Sequence, residues 1–288
     1  MDSRPHARAD KSHARSHTRP NGRSEKLQMR PPIAVSADQV LIYGRHPVAA
    51  ALLNQGRHIK AVYVTDDAKS WLLSEYADHL DKRDLTPILT DRDDLADALP
   101  PQDKHVHQGV IVVAKPLSVP LLEDWLNQSL PEKLVLLMLD QITDARNIGA
   151  IMRSALAFGA SAMIATDRNT PIETGAMLRA ASGAAERMPL IRVVNLARAI
   201  TLLQDHGFTV AGLDAHGTAD LTGLQDDHRL ALVLGAEGSG LRHLTRQKVD
   251  QLIRIPISEH SESLNVSNAA AVALYAATAG DFNNKKNH

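Results

Sequence analysis

Short apolar runs alternate with amphipathic stretches along the second half of this chain. The runs with the length of buried strands are 134–139, 162–165, 188–193, 209–213, 230–234 and 252–257. Between them, apolar residues recur at helical spacing near 147–158, 174–182 and 196–206. Strands that alternate with helices predict an α/β domain whose parallel sheet is covered by helices on both faces.

The first half repeats this pattern on a smaller scale. Strands are predicted at 40–43, 59–64, 85–89 and 110–114, with helices after Pro47 and over 71–80. Three prolines, at 116, 120 and 131, then indicate a connecting segment. The predicted organisation is therefore a small α/β domain at 39–115, a linker at 116–131 and a larger α/β domain at 132–281.

Both ends of the chain are polar. Residues 1–30 contain eight Lys or Arg and three acidic residues, a net charge of +5 in a chain whose total is −1. Residues 1–38 have too few large apolar side chains to offset the entropy of ordering, so we expect a disordered basic tail. It either contacts RNA phosphates or serves as a solubilising extension. Residues 282–288 are expected to form a second polar tail.

Composition excludes several classes of function. The chain has no cysteine, so disulfides, thiolate metal sites and a cysteine nucleophile are excluded. It has no apolar run long enough to span a membrane, and we expect a cytoplasmic protein. His105 and His107 would share one face of a strand, but two histidines are too few to define a metal site, so none is predicted.

Two predicted strands are followed by loops rich in glycine or polar residues. Leu230 to Leu234 leads into Gly235, Gly238 and Gly240, and the 252–257 run, interrupted at Pro256, is followed by a polar loop and an alanine-rich helix. Ligands in open α/β sheets bind at the carboxyl ends of strands, so a site is expected there. The G-x-x-G-x-G order matches neither the dinucleotide fingerprint nor the P-loop.

A third loop follows the 134–139 strand. Asn147 is the predicted N-cap of the next helix, whose apolar stripe includes Ile148, Ile151 and Met152. Arg153 lies off that stripe. Its guanidinium could reach back to the loop, or it is an ordinary solvated helix residue.

Together these three segments resemble the signature motifs of the SpoU (TrmH-type) RNA ribose methyltransferases. The motifs read Asn147-x-Gly149-Ala150-x-x-Arg153, Leu234-Gly235-Ala236-Glu237-Gly238-x-Gly240-Leu241, and Ile255-Pro256 with Ser263-Leu264-Asn265-Val266-Ser267. Outside them, Ile42-Tyr43-Gly44-Arg45-His46, His107-Gln108-Gly109-Val110 and Gly183-Ala184-Ala185-Glu186 resemble the subgroup that methylates a guanosine 2′-hydroxyl in 23S ribosomal RNA. The resemblance covers roughly residues 40–280.

This resemblance implies a fold, a cofactor and partners. The fold would be a SPOUT domain, a parallel sheet with a deep trefoil knot, preceded by a small domain like ribosomal protein L30e. The cofactor would be S-adenosyl-L-methionine, and the protein would act on RNA as a homodimer with residues of both chains at each site. Tyr43, Arg45 and His46 would contact RNA, although a structural role for Tyr43 is equally open.

The resemblance also implies site residues. Arg153 would be the main catalytic residue, and Asn147, Glu237, Ser263 and Asn265 would complete the catalytic set. Gly235, Ile255 and Leu264 would contact the cofactor. Two alternatives from the residues themselves remain, because Glu237 could be a capping turn carboxylate and Asn265 or Ser267 could simply cap the last helix.

The function implied is 2′-O-methylation of an RNA ribose. The favoured substrate is a guanosine of 23S ribosomal RNA. A transfer RNA 2′-O-ribose methyltransferase and a catalytically silent ribosomal-RNA-binding protein of the same fold are the alternatives. A silent protein should lack one of the polar motif residues, and this chain retains Arg153, Glu237, Ser263 and Asn265.

Overall fold

The structure is a computed structural model that describes residues 33–168, 173–224, 227–261 and 263–284. Most of the predicted basic tail, and residues 285–288 of the second polar tail, lie outside the described residues. No helix in these ranges combines the length and hydropathy needed to cross a membrane.

Strands and helices alternate along the described ranges. The strands are β1 (Val40–Tyr43), β2 (Ile59–Val64), β3 (Ile88–Leu89), β4 (Val110–Ala114), β5 (Leu134–Asp140), β6 (Ala162–Thr166), β7 (Leu190–Val193), β8 (Thr209–Leu213), β9 (Arg229–Gly235) and β10 (Gln251–Ile253). The helices are α1 (Arg45–Leu53), α2 (Asp66–Asp81), α3 (Arg92–Asp97), α4 (Leu122–Leu126), α5 (Ala145–Ala157), α6 (Gly175–Ala181), α7 (Leu196–Asp205), α8 (His243–Lys248) and α9 (Val266–Asn284).

The larger sheet has six strands in the order β10-β8-β9-β5-β6-β7, and all its pairs are parallel. Every residue of β5, at its centre, is buried, as expected for a strand covered on both faces. The predicted α/β fold with a mainly parallel sheet is confirmed.

Two apolar cores cover the two faces of this sheet. On one face, β5 side chains such as Leu137 pack with Ile148 of α5, Leu178 of α6 and Leu274 of α9. On the other face, Met138 belongs to a core with residues of α4 and α7. Helices α5 and α7 therefore lie on opposite sides of the sheet.

The smaller sheet has the order β1-β4-β2-β3. Its strand β4 is buried throughout and pairs antiparallel with both β1 and β2, which places it at the sheet's centre. Apolar residues of β1, α1 and α2 belong to the same buried cluster as the α5 face of the larger sheet. The two sheets thus share one continuous core.

Among the differences from the predicted elements, three concern the 252–257 strand, the 85–89 strand and the linker. The 252–257 strand is limited to β10, Gln251–Ile253, because the chain leaves the sheet two residues before Pro256. The 85–89 strand is reduced to the two residues of β3. The segment predicted as a linker contains α4, whose Trp125 is only 7% exposed because it packs into the second core.

Strand β10 is held on both of its edges. On one side it pairs with β8, and the amide of Asp214 donates to the carbonyl of Ile253 at 2.9 Å. On the other side the amide of Ala219 donates to the carbonyl of Leu252 at 3.2 Å. The chain that leaves β8 therefore passes around the end of β10 within a few residues.

Candidate functional site

Three loops meet at the carboxyl ends of the parallel strands, around a cleft of about 750 Å³. They follow β8, β9 and β10. Convergence at this edge is the arrangement in which α/β sheets bind ligands. The residues of the predicted site that line the cleft are Gly235, Glu237, Ile255, Ser263, Leu264 and Asn265.

The loop after β9 closes on itself as a tight hairpin. Ala236 and Gly240 exchange backbone hydrogen bonds of 3.2 and 2.9 Å. A Cβ atom at Gly235 would lie 2.2 Å from the carbonyl carbon of Gly240, a distance that no side chain tolerates. Glycine at 235 therefore lets the backbone fold back and present Glu237 at the mouth of the cleft.

Hydrogen bonds join one polar residue from each of the three motifs. Glu237 Oε1 accepts from Asn147 Nδ2 at 3.2 Å and from Asn265 Nδ2 at 2.6 Å. Asn265 Nδ2 also lies 3.2 Å from Asn147 Oδ1, and the amide of Val266 donates to Glu237 Oε1 at 3.3 Å. We call Asn147, Glu237 and Asn265 the polar triad. No described residue donates to Glu237 Oε2.

Asn265 is also the first hydrogen-bonding group of α9. Its Oδ1 accepts from the amide of Ser267 at 2.9 Å, as a helix-capping side chain does. Its Nδ2 is left to contact Glu237 and Asn147. The capping role and the contact with the site are therefore both present in one side chain, and the sequence had offered them as alternatives.

The predicted N-cap of α5 is wrong. Asp144 occupies that position, and its carboxylate accepts from the amides of Arg146 and Asn147 at 2.7 and 3.3 Å. Asn147 lies inside the first turn, where its side chain is free to bond Glu237 across 90 residues of sequence. Both residues are good N-caps, so only the tertiary contact distinguishes them.

Arg153 does not line the cleft of its own chain. It is exposed on α5, and it forms no hydrogen bond or ion pair with the described residues. It shares an exposed face of the helix with Arg146, which lies seven residues before it. The structure does not bring Arg153 together with the polar triad.

Asp214, His216 and Arg246 also line the cleft, and the sequence analysis missed them. Asp214 is 9% exposed, pairs with Arg246 and accepts from the amide of His216 at 2.8 Å. Asp214 immediately follows β8, so the rule that directed attention to the loops after β9 and β10 applied to it equally.

A buried carboxylate fixes the far end of the glycine hairpin. Asp140, at the end of β5, is fully buried and accepts from Arg242 Nε at 2.5 Å and from the Arg242 amide at 3.0 Å. Charge-assisted contacts of this kind are stronger than neutral ones. The hairpin that carries Glu237 is thereby attached to the central strand of the sheet.

One of the three predicted RNA contacts is wrong. Tyr43 is only 1% exposed, and its burial, together with Asp103, raises the pKa of its phenol. A ring enclosed in the core cannot reach RNA, so Tyr43 is a structural residue. His46 is exposed, and the Arg45 guanidinium lies 5.1 Å from the centre of the Trp71 ring.

His107 has a structural contact. It is 5% exposed, and its Nδ1 accepts from the amide of Gly109 at 3.1 Å. Burial lowers the pKa of this imidazole, which favours the neutral form that can accept the bond. In the described residues no group of three or more His, Asp or Glu side chains is arranged to hold a metal ion.

The cleft suits a ligand with an apolar body and several polar groups. Its walls include Leu213, Leu234 and Leu264, and the glycine hairpin contributes exposed backbone. Glu237, which is exposed, is a carboxylate that a cationic or hydroxyl-bearing ligand can contact, whereas Asp214 is already paired with Arg246. An apolar cleft with a few polar groups is the usual form of a small-molecule binding site.

Comparisons with known proteins identify the class of protein to which this chain belongs. The profile of the SpoU rRNA Methylase family matches residues 134–275, and that of an RNA 2′-O ribose methyltransferase substrate-binding domain matches residues 41–120. The SpoU methyltransferase AviRb from Streptomyces viridochromogenes, solved with AdoMet, has a similar fold. The TM-score is 0.71 at 23% identity, over 85% of this chain and 91% of that one.

Two relatives with similar sequences have names that specify the kind of RNA they methylate. The chain is 38% identical over 237 residues to the 23S rRNA (guanosine-2′-O-)-methyltransferase RlmB of Haemophilus ducreyi, covering 81% of this chain and 95% of that protein. It is 33% identical over 243 residues to a putative TrmH family tRNA/rRNA methyltransferase of Staphylococcus aureus, covering 83% and 95%. This chain therefore belongs to the SpoU rRNA methylase family.

Proposed function

We propose that this protein transfers a methyl group from S-adenosylmethionine to a ribose 2′-hydroxyl in RNA, and that its substrate is a guanosine of 23S ribosomal RNA. The observation that carries the proposal is the polar triad, in which one residue from each motif meets at the mouth of a cleft. The relative named RlmB supports the choice of nucleotide.

The cleft residues would hold the cofactor mainly through backbone and apolar contacts. Gly235 ends β9, Ile255 and Leu264 lie in the segment between β10 and α9, and the three would enclose the adenosine. When bound, S-adenosylmethionine supplies an electrophilic methyl group on a sulfonium. The AdoMet in the related AviRb structure supports this assignment.

The polar triad would prepare the ribose hydroxyl. This hydroxyl is a weak acid, so its attack requires proton removal and close alignment. Asn147 and Asn265 hold Glu237 through Oε1, which leaves Oε2 to accept the hydroxyl proton. Ser263, on the same cleft wall, would bind the ribose or the methionine end of the cofactor.

Arg153 would stabilise the negative charge that develops on the ribose oxygen. A guanidinium remains protonated near neutral pH, so it acts by orientation and charge rather than as a base. Because Arg153 lies outside the cleft of its own chain, the proposed homodimer would bring it to the site of the partner subunit.

Helix α9 supports the proposed homodimer. Val272 and Tyr275 form an exposed apolar stripe on α9, and the Tyr275 ring, 60% exposed, lies 6.0 Å from that of Phe158. An apolar stripe that includes a tyrosine is typical of subunit contacts. The stripe lies beside the end of α5, the helix that carries Arg153.

The finer features of the fold belong to the same proposal. The passage of the chain around β10 supports a trefoil knot in a SPOUT domain at 132–281. The small sheet supports an L30e-like RNA-binding domain at 39–115, where Arg45 and His46 would contact RNA. We place the protein in the cytoplasm, where its proposed RNA substrate is found.

The test is methyl transfer to isolated RNA. The protein is incubated with S-adenosylmethionine carrying a labelled methyl group and with ribosomal and transfer RNA separately, and labelled riboses are mapped. Label at a 23S guanosine 2′-oxygen is expected. Label confined to transfer RNA would favour the second substrate, which the name of the Staphylococcus aureus relative supports. Absence of label with RNA binding retained would indicate a catalytically silent protein.

A further inference from the structure

The small sheet and the larger α/β unit meet along a tightly packed seam. Helix α6 begins directly against β1. A Cβ atom at Gly175 would lie 2.4 Å from Cε1 of Tyr43 and 2.8 Å from the carbonyl oxygen of Leu41. Only glycine permits this approach, so the backbone at the start of α6 contacts the Tyr43 side chain directly.

A fully buried arginine lies in this seam. The Arg57 side chain, between α1 and β2, is 0% exposed. Its Nε and Nη2 donate to both carboxylate oxygens of Glu186 at 2.6 to 3.1 Å, and Nη2 also pairs with Glu173. Its Nη1 donates to the carbonyl of Lys115 at 2.9 Å. One guanidinium therefore joins the small sheet, the segment that follows it and the larger unit.

The two acids are equally well bonded. The second oxygen of Glu186 also accepts from Asn54 at 2.7 Å, and the second oxygen of Glu173 accepts from the amide of Leu117 at 2.8 Å. Burial acts to lower the pKa of Arg57, but the hydrogen bonds and charges of Glu173 and Glu186 outweigh it and raise the pKa. We call Arg57, Glu173 and Glu186 the seam cluster.

This network can form in one geometry only. A buried ion pair adds little net stability because both charges lose their hydration, but misplacing either partner leaves an unpaired buried charge. Glu186 lies in the 3₁₀ turn Ala184–Glu186, and both this turn and α6 pack on α5. The small sheet is therefore anchored to the scaffold that carries Asn147 and Arg153.

We propose that Arg57 is a positioning residue that fixes the 39–115 module at one distance and orientation from the cleft. An RNA that binds the module is thereby presented to the cleft in register, so the module acts as a fixed guide rather than a tethered second binding site. The inference rests on the proposed function, because it assigns the seam cluster a task in presenting the RNA.

Two isosteric substitutions distinguish a role in presenting the RNA from a general contribution to stability. Glu186→Gln disrupts the seam cluster, because an amide offers Arg57 one oxygen in place of two. Asp97→Asn is the matched control, since the ion pair of Asp97 with Lys104 stays within the module. A third variant, R57M/E173Q/E186Q, removes all three buried charges and therefore leaves none unpaired, which favours a folded protein.

Four quantities are measured on each variant and on the unaltered chain. These are kcat/KM for protein-free 23S ribosomal RNA, the rate of methylation of a short oligonucleotide containing the mapped nucleotide, S-adenosylmethionine affinity by calorimetry, and the rate of thermolysin cleavage of the 116–121 segment. That segment exposes Leu121 and Val119, which thermolysin recognises. Its N-terminal end is held by the seam cluster, through the carbonyl of Lys115 and the amide of Leu117.

In Glu186→Gln and in the triple variant, we expect kcat/KM for the large RNA to fall about 10- to 100-fold, the cost of misplaced reactants. Thermolysin cleavage should accelerate, while oligonucleotide methylation, cofactor affinity and the behaviour of Asp97→Asn should not change. An equal loss on both RNAs, or no loss on the large RNA, would overturn the proposal. If the unaltered chain methylates neither RNA, the proposed function fails. The cleavage assay still tests the fixed module in that case, because a triple variant that thermolysin cleaves at the same rate as the unaltered chain would reject it.

Discussion

The polar triad and the seam cluster are both assembled from residues distant in sequence, and both contain glutamates whose environments differ. In the triad, Glu237 is exposed and bonded by two neutral amides and one backbone N–H, with one oxygen receiving no bond from the described residues. In the seam cluster, Glu186 is 3% exposed at its side chain and both of its oxygens are bonded to Arg57. A glutamate is thus exposed in the polar triad and buried in the seam cluster.

This difference between Glu237 and Glu186 is the one expected between a residue that acts on a substrate and a residue that holds the fold together. A carboxylate that keeps one oxygen open to the cleft can exchange partners with a substrate at little cost. A buried carboxylate whose two oxygens are both bonded to a cation cannot, because each broken contact leaves a charge without solvent. Exposure and spare bonding capacity, rather than residue type, distinguish the two clusters.

The largest expected effect is on stability at the seam. Arg57→Ala leaves Glu173 and Glu186 buried without their cation, and it should lower the free energy of unfolding by about 3–5 kcal/mol. Glu237→Ala removes hydrogen bonds at an exposed position, and it should lower this free energy by only about 1 kcal/mol. Urea denaturation of both variants measures this contrast, and equal losses would contradict it.

The next effect is on methyl transfer. Arg153→Ala removes a charge proposed to stabilise the reacting oxygen, so kcat should fall about 10²- to 10³-fold. Its unfolding midpoint should be unchanged, because Arg153 forms no hydrogen bond or ion pair with the described residues. Labelled-methyl incorporation and thermal unfolding are the measurements.

A matched control for Arg153 is Arg198→Ala. Arg198 is also exposed on a helix, but it lies on α7, on the opposite face of the sheet. Its replacement should leave both kcat and the unfolding midpoint unaltered. Retention of full activity in Arg153→Ala would remove that residue from the proposed mechanism.

A smaller effect is expected when the triad loses a charge but keeps its shape. Glu237→Gln should reduce kcat about 100-fold, the loss typical of a missing general base. Cofactor affinity should change much less, since Gly235, Ile255 and Leu264 are retained. Single-turnover kinetics and calorimetry check the two parts, and activity that survives in Glu237→Gln would leave the carboxylate a purely structural turn residue.

The smallest effect concerns the buried imidazole of His107. The folded-state pKa of His107 is lowered by burial, with Arg92 and His105 acting in the same direction and Asp67 opposing them. The unfolded chain therefore binds a proton first as pH falls below about 6.5, so stability is retained above that pH and lost below it.

His107→Asn keeps an acceptor for the Gly109 amide and does not titrate in this range. The pH dependence of the unfolding free energy between about pH 7 and 5 should be shallower in this variant, by about 1 kcal/mol or less over the range. Denaturant titrations at several pH values provide the comparison. An identical slope in the two proteins would show that His107 does not contribute.

Sequence reasoning succeeded where the pattern was local. The apolar runs of β5 and β9 and the loops that follow them are visible in the composition of a few residues. It failed at Arg57, which resembles any polar residue between two elements and whose acidic partners lie 116 and 129 residues away. It also failed at Tyr43 and at the N-cap of α5, because burial and the contact of Asn147 with Glu237 are set by tertiary packing.

Asn265 has a consequence that extends beyond the cleft. The side-chain oxygen of Asn265 caps the first turn of α9, and its side-chain nitrogen donates to Glu237. A molecule that displaces Glu237 therefore also perturbs the first turn of this helix, whose exposed side carries Val272 and Tyr275. If occupancy of the cleft changes the affinity of α9 for a second copy of the chain, thermodynamic reciprocity requires that binding along α9 change the affinity of the cleft by the same factor. In the proposed homodimer, ligand affinity should accordingly vary with protein concentration.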